Sequence, residues 1–270
     1  MFSESFKALN KEAQFTKEML GAGATQIRNA NYATKGIYFQ AFTSLSTGLE
    51  RIGKLCLMLD HYIDNGGKFP DFGYMKKNIG HNIALIYNKT TAVVAKRSLS
   101  LEFLHNLDDT IHQNILMILT DFAEGDRYSN INLLVGSKRT SDPIAAWFEH
   151  VDKPLYETRI TSKKKLSIEN NARAVSRLMG DIALVRHTSE TGTEITSVEE
   201  ASFRTGLQEA VSPYRQLYVL QIIRYWVEVL SSLQNEAMHI SNDIPFFSEV
   251  FALFYNEDSY IRTRKTWDSI

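Results

Sequence analysis

The chain has 270 residues, 44% of them hydrophobic and 23% charged, with a net charge of -1. That length can bury a large core, and the near-zero charge excludes a global field for nucleic acid or acidic membranes, so RNA binding would need a local basic patch. Five Pro and 14 Gly suit long helices better than a turn-rich β protein, and a single Cys excludes a disulfide within the chain. The first residues lack the basic region and apolar core of a signal peptide. No run of about 18 uncharged apolar residues occurs. A cytoplasmic protein without a membrane segment is expected.

In chain order, residues 3–20 read as a polar amphipathic helix that Gly21 and Gly23 end. A short helix or turn at 25–33 leads to the strongest stretch, Tyr38 to Ile63. There Phe42, Leu45, Leu49, Ile52, Cys56, Leu59 and Ile63 recur at helical steps, and Tyr38, Leu55, Met58 and Tyr62 widen the stripe. Cys56 reads as a buried small hydrophobe. Gly66-Gly67 with Pro70 is a stop signal. Asp71 can cap a helix running to about Tyr87, with Thr90 to Val94 as its end or a linker.

Leu101 to Phe122 repeats at helical steps and ends at Gly125. Residues 125–143 read as one long polar loop with buried aliphatics, the only seam in an otherwise single domain of residues 1–270. Asp142-Pro143 starts a short helix in which Ile144, Trp147 and Phe148 face inward. Helical spacing resumes over 163–187, and 188–197 reads as a polar loop or small β-hairpin around Gly192. Residues 199–211 and 214–239 are helical, separated or kinked at Pro213, and the second is apolar nearly all round. Asn242 to Pro245 caps a helix from Phe246 to about Tyr255, followed by a polar tail basic at Arg262, Arg264 and Lys265. The fold class is therefore an all-α multi-helix bundle.

His105, Asp108, Asp109 and His112 would share one helix face, yet no partner motif completes a metal set, and solvated polar surface is the alternative. Gly21-Ala22-Gly23 precedes no strand-to-helix unit, so no phosphate loop and no cofactor is expected. Arg127, Lys138, Arg139, Lys163, Lys164 and Lys165 could form a basic rim, with Tyr128 and Trp147 as stacking faces, or could be solvated charge. Two further segments combine a cation or amide with an imidazole: Lys76-Lys77-Asn78-Ile79-Gly80-His81 and Gln234-Asn235-Glu236-Ala237-Met238-His239. A metal-independent RNase needs such groups to deprotonate the 2′-hydroxyl, protonate the leaving oxygen and balance the phosphorane charge. The bland alternatives are a helix-start hydrogen-bonder for His81 and a dipole partner at a helix C-terminus for His239.

The segments Tyr38-Phe39-Gln40-Ala41, Leu49 to Leu55 with Glu50, Arg51 and Lys54, the Gly-Gly turn, and Gly80-His81-Asn82-Ile83 together resemble the HEPN superfamily. The resemblance covers about residues 36–90. It implies a helical bundle that assembles in pairs, with many members acting as RNases of toxin–antitoxin and antiviral systems and others as non-catalytic docking modules. The family motif is Arg, a polar residue and a His four to six residues after the Arg. This chain has Gln234 or Lys76 where that Arg would stand, and neither offers a charged bidentate fork. The resemblance implies His81 or His239 as acid/base, with Lys76, Lys77 or Arg51 as electrostatic partner and Asn78 or Asn235 as the polar member. Homodimerisation, RNA binding or a protein partner follow as expectations.

Overall fold

The computed structural model describes residues 2–267. Helix α1 (Glu4–Asn29) starts at Ser3, whose hydroxyl accepts the amide of Phe6 at 3.1 Å, and runs through Gly21 and Gly23 without a break. The expected end at those glycines is wrong for a packing reason. A Cβ at Gly23 would stand 2.6 Å from Leu45 Cγ, and one at Gly48 would stand 2.7 Å from Leu20 Cδ2. The two glycines form reciprocal seats where α1 meets α2 (Gly36–Asp64), each admitting a leucine of the other helix. Gly48→Ala is expected to lower stability by about 1–3 kcal/mol through overpacking, net of a helix-propensity gain of up to ~1 kcal/mol. A denaturant midpoint equal to the parent's would show that the seat is not tight.

The stripe on α2 is core as expected: Phe42, Leu45, Leu49, Ile52, Cys56 and Leu59 are fully buried. Burial drives the Cys56 thiol well above its ordinary pKa, which makes it an inert packing group. Gly66 and Gly67, both at positive φ, end the helix.

Asp71 does cap a helix, α3 (Phe72–Tyr74), but the chain then widens into a π-turn over Met75–Ile79 and stops at Gly80 (φ +76°). A new helix, α4 (Ile83–Arg97), contains Thr90 to Val94 and starts at Asn82, whose side chain accepts the amide of Leu85 at 2.8 Å. Leu101 to Asp109 is irregular loop with several bends rather than helix. Helix α5 (Thr110–Glu124) begins only at its Asp109 cap, which accepts from Ile111 at 2.8 Å. The capping signal outweighs the periodic leucines because the loop has other partners. The amide of Glu102 donates to Glu228 at 2.6 Å, and that of Leu107 donates to the Tyr87 hydroxyl at 2.8 Å.

The expected long loop holds a 3₁₀ turn (Asp126–Tyr128) and α6 (Ser129–Leu134), and its aliphatics Ile131, Leu133, Leu134 and Val135 are exposed, not buried. Helix α7 (Pro143–Trp147) starts at Asp142 as expected and passes through a π-turn (Phe148–Asp152) into α8 (Lys153–Arg159). Helix α9 (Ser162–Met179) is shorter than expected. Strands β1 (His187–Thr188) and β2 (Glu194–Ile195) form the small antiparallel hairpin.

Helix α10 (Val198–Met238) is continuous over 41 residues with Pro213 inside it. Proline removes the amide that would serve the Glu209 carbonyl, and the Ser212 hydroxyl donates to that carbonyl instead, at 3.3 Å. The helix packs on α1, α2 and α9 and carries Ile222, Ile223, Trp226, Val229 and Leu230 into the core. After it come α11 (Phe247–Val250), much shorter than expected, and α12 (Asp258–Thr263). The tail is docked rather than merely polar: Ile261 and Trp267 are buried, and the Trp267 amide donates to Thr25 Oγ1 at 2.8 Å. No helix among the described residues is long and apolar enough to cross a membrane.

One charge cluster lies wholly inside. Arg215 of α10 and Asp152 are both fully buried, with Nε 3.3 Å from Oδ1. Arg215 Nη1 donates to the Tyr38 hydroxyl and to the Ala30 carbonyl, each at 3.1 Å, so it also serves the C-terminal end of α1. Trp147 Nε1 donates to Asp152 at 3.1 Å. The indole expected as a stacking face is thus fully buried and committed to this cluster.

Candidate functional site

The π-turn and Gly80 position His81. Lys89 of α4 donates to the carbonyls of Asn78 and Ile79 at 2.5 and 3.2 Å, which satisfies the end of the turn. The chain reverses at Gly80, and the imidazole lands on the middle of α2. His81 Nδ1 lies 2.9 Å from Glu50 Oε1 and 3.1 Å from Lys54 Nζ, and Lys54 in turn donates to Glu50 at 2.6 Å. The His81 side chain is 80% exposed, while Glu50 and Lys54 are 23% and 19% exposed. Glu50 only accepts and the Lys54 ammonium only donates, so Nδ1 carries a proton when it serves Glu50 and is the acceptor when it serves Lys54; in the first tautomer Nε2 is the unprotonated base.

The surrounding face is polar and interlocked. Asn82 donates to Glu124 at 2.6 Å. Arg139 reaches Glu124 at 3.2 Å and Asp126 at 2.9 Å. This ties the loop after α6 to the face that carries His81, a link between two stretches that the sequence treats separately. It also neutralises Arg139. Near it, Arg127 lies 5.2 Å from the exposed Tyr128 ring, and Lys138 is exposed. Lys163 and Lys164 are exposed at the start of α9, while Lys165 donates to the Glu157 carbonyl at 2.9 Å and lies over Tyr156.

The expected electrostatic partners of His81 are displaced. Arg51 pairs with Glu12 of α1 at 2.7 Å. Lys76 and Lys77 are exposed and form no ion pair among the described residues. The cation beside the imidazole is Lys54. Its i+4 spacing from Glu50 was the available signal, but the pairing with His81 crosses 27 residues and needs the tertiary fold.

His239 stands elsewhere, exposed just past the end of α10. That end meets the far end of α2 through Arg97, which pairs with Glu236 at 2.8 Å and with Asp60 and Asp64 at 2.7 Å. Ten residues of helix separate Asp60 and Asp64 from Glu50 and Lys54, roughly 15 Å along the axis, so the two histidines do not share a cleft. Gln234 is buried, accepting the Ser248 amide at 2.9 Å. Asn235 borders a cavity of about 440 Å³ with Glu102, Glu228, Ser231 and Tyr255, whose lining holds no basic side chain. Burial raises the Glu228 carboxyl above its ordinary pKa, against the pull of the Glu102 and Phe103 amides. The four residues expected on one helix face are dispersed: His105 and Asp108 are exposed in the loop, Asp109 caps α5, and His112 is buried.

No family model, no curated protein and no solved structure matches this chain.

Proposed function

We propose that the chain is a HEPN-like helical protein that cleaves RNA without a metal, with His81 as general base, Glu50 as the group that orients it and Lys54 as the cation beside it. The observation that carries this reading is the Glu50–His81–Lys54 contact set, in which one ring nitrogen is tied down and the other is open to solvent. In this reaction His81 Nε2 takes the 2′-hydroxyl proton, O2′ attacks phosphorus, and the bond to the 5′ oxygen breaks with that oxygen taking a proton from water. The products are a 2′,3′-cyclic phosphate and a 5′-hydroxyl. Lys54 balances the charge that builds on the phosphorane. The test is incubation of single-stranded RNA with the protein in EDTA, with the new ends read by mass spectrometry. Cyclic-phosphate ends support the reading. Intact RNA, or cleavage only on adding a divalent ion, overturns it.

A second reading, a non-enzymatic protein that docks a second copy of itself, is favoured by the exposed aliphatics at Leu133, Leu134 and Val135 and again at Leu178, Ile182 and Leu184. Light scattering giving about twice 30.8 kDa at micromolar concentration supports it, and a monomer mass removes it.

A further inference from the structure

A second site lies where α8, α10 and α12 converge. Tyr214 and Tyr218 stand one turn apart on α10 and border a cavity of about 290 Å³ with Arg159, Arg262, Gln221 and Asp258. Arg159 lies 5.5 Å from the Tyr218 ring centroid and donates to its hydroxyl. Arg262 lies 5.6 Å from the Tyr214 ring centroid.

The charge around this cavity is unbalanced. Arg97, Arg139, Arg215 and Arg224 each pair with a carboxylate, but neither Arg159 nor Arg262 does so among the described residues. Asp258 is the one carboxylate in the lining, and its oxygens are taken by Arg224 at 2.7 Å and Gln221 at 2.9 Å. Outside the lining, Asp109 accepts the Tyr218 hydroxyl at 3.4 Å and its charge also acts on Arg159. Two guanidinium groups therefore face one small space, neither in an ion pair among the described residues.

The walls are fixed from behind. Gln221 is oriented at both ends, its amide nitrogen on Asp258 and its oxygen 2.9 Å from His112 Nε2. The buried His112 ring lies 4.8 Å from Tyr218. Such preorganisation keeps donors and aromatic faces in place before a ligand arrives.

We infer that this cavity binds a phosphorylated nucleotide, its phosphoryl group between Arg159 and Arg262 and its base against Tyr214. Planar guanidinium groups match phosphate oxygens two at a time, and a base stacked on an aromatic side chain contributes about 1–3 kcal/mol. The volume lies near the lower bound for ligand pockets, so it admits one nucleotide and excludes a duplex. The phosphate can come from a free mononucleotide or from the end of an RNA strand. The assignment does not depend on His81 being catalytic.

The test is calorimetric titration of the whole protein with AMP, adenosine, inorganic phosphate, and oligoadenylate carrying either a 5′-phosphate or a 5′-hydroxyl. AMP is expected to bind at least about tenfold tighter than adenosine or inorganic phosphate alone, because each lacks one half of the recognition. Arg262 is exposed and forms no ion pair among the described residues, so Arg262→Ala should fold normally and weaken AMP binding by about tenfold or more, with Arg262→Lys recovering part of it. If the 5′-phosphorylated oligoadenylate binds as tightly as AMP, the ligand is a strand end. If it binds far more weakly, the ligand is a free nucleotide. AMP binding no tighter than adenosine, or unchanged in Arg262→Ala, overturns the proposal.

Discussion

His81→Ala is expected to slow RNA cleavage by about 100- to 10,000-fold, the usual cost of losing a general acid/base, with no change in helical circular dichroism. The side chain is 80% exposed and its polar partners among the described residues are Glu50 and Lys54, so removing it opens no buried cavity. Glu50→Gln should cost less than His81→Ala, since the amide can still touch the ring but no longer holds it by charge. Lys54→Ala should lower the rate with little effect on RNA affinity, because its cation is placed for the charge of the transition state. His239→Ala should leave the rate unchanged, since that residue follows the end of α10, which meets the far end of α2 rather than its middle. Full activity in His81→Ala, or an equal loss in His239→Ala, would show that the reacting groups are elsewhere.

Arg215→Met is expected to cost about 3–5 kcal/mol, the range for removing one partner of a buried ion pair. It strips the cation from Asp152 and leaves the Ala30 carbonyl and Tyr38 hydroxyl without their donor. The loss should also depend on pH. Burial pushes the Asp152 carboxyl up to about 6, and the Arg215 guanidinium opposes that rise. A carboxyl whose folded pKa lies above its unfolded value of about 4 binds protons more tightly when folded. Its stabilising contribution is thus fully present below pH ~4 and is lost as pH rises through about 6. Without Arg215 the carboxyl rises further, so the variant should keep losing stability above that window, where the parent has levelled off. Denaturant melts across pH 4–8 measure both curves. Parallel curves would mean that Asp152 does not feel Arg215.

These two sites also mark where the sequence was legible. The stripe from Phe42 to Leu59 is local, and a period of 3.6 placed α2 within two residues of its ends. Asp71, Asp142 and Gly192 were read correctly because caps and turns are written in neighbouring residues. Gly23 was misread because the same residue type that weakens an isolated helix is required where two helices touch. Leu101 to Leu107 was misread because its apolar spacing is also compatible with an irregular segment whose amides are satisfied by Glu228 and Tyr87. Arg215 had a signal that went unused: a charge within a helix apolar nearly all round must have a buried partner. The identity of that partner, Asp152, and the meeting of His81 with Glu50 and Lys54 depend on tertiary contacts that no local pattern records.

The position of α10 in the chain has a consequence during synthesis. The helix supplies the surface against which α1, α2 and α9 pack, yet the ribosome makes it after all three. At about 5–20 residues per second, its 41 residues take roughly 2–8 s to emerge. Until then the leucine stripe of α2 lacks the cover that α10 supplies. The nascent chain therefore carries an apolar seam of α2 open to solvent for seconds, long enough for a chaperone or a second nascent chain to find it first.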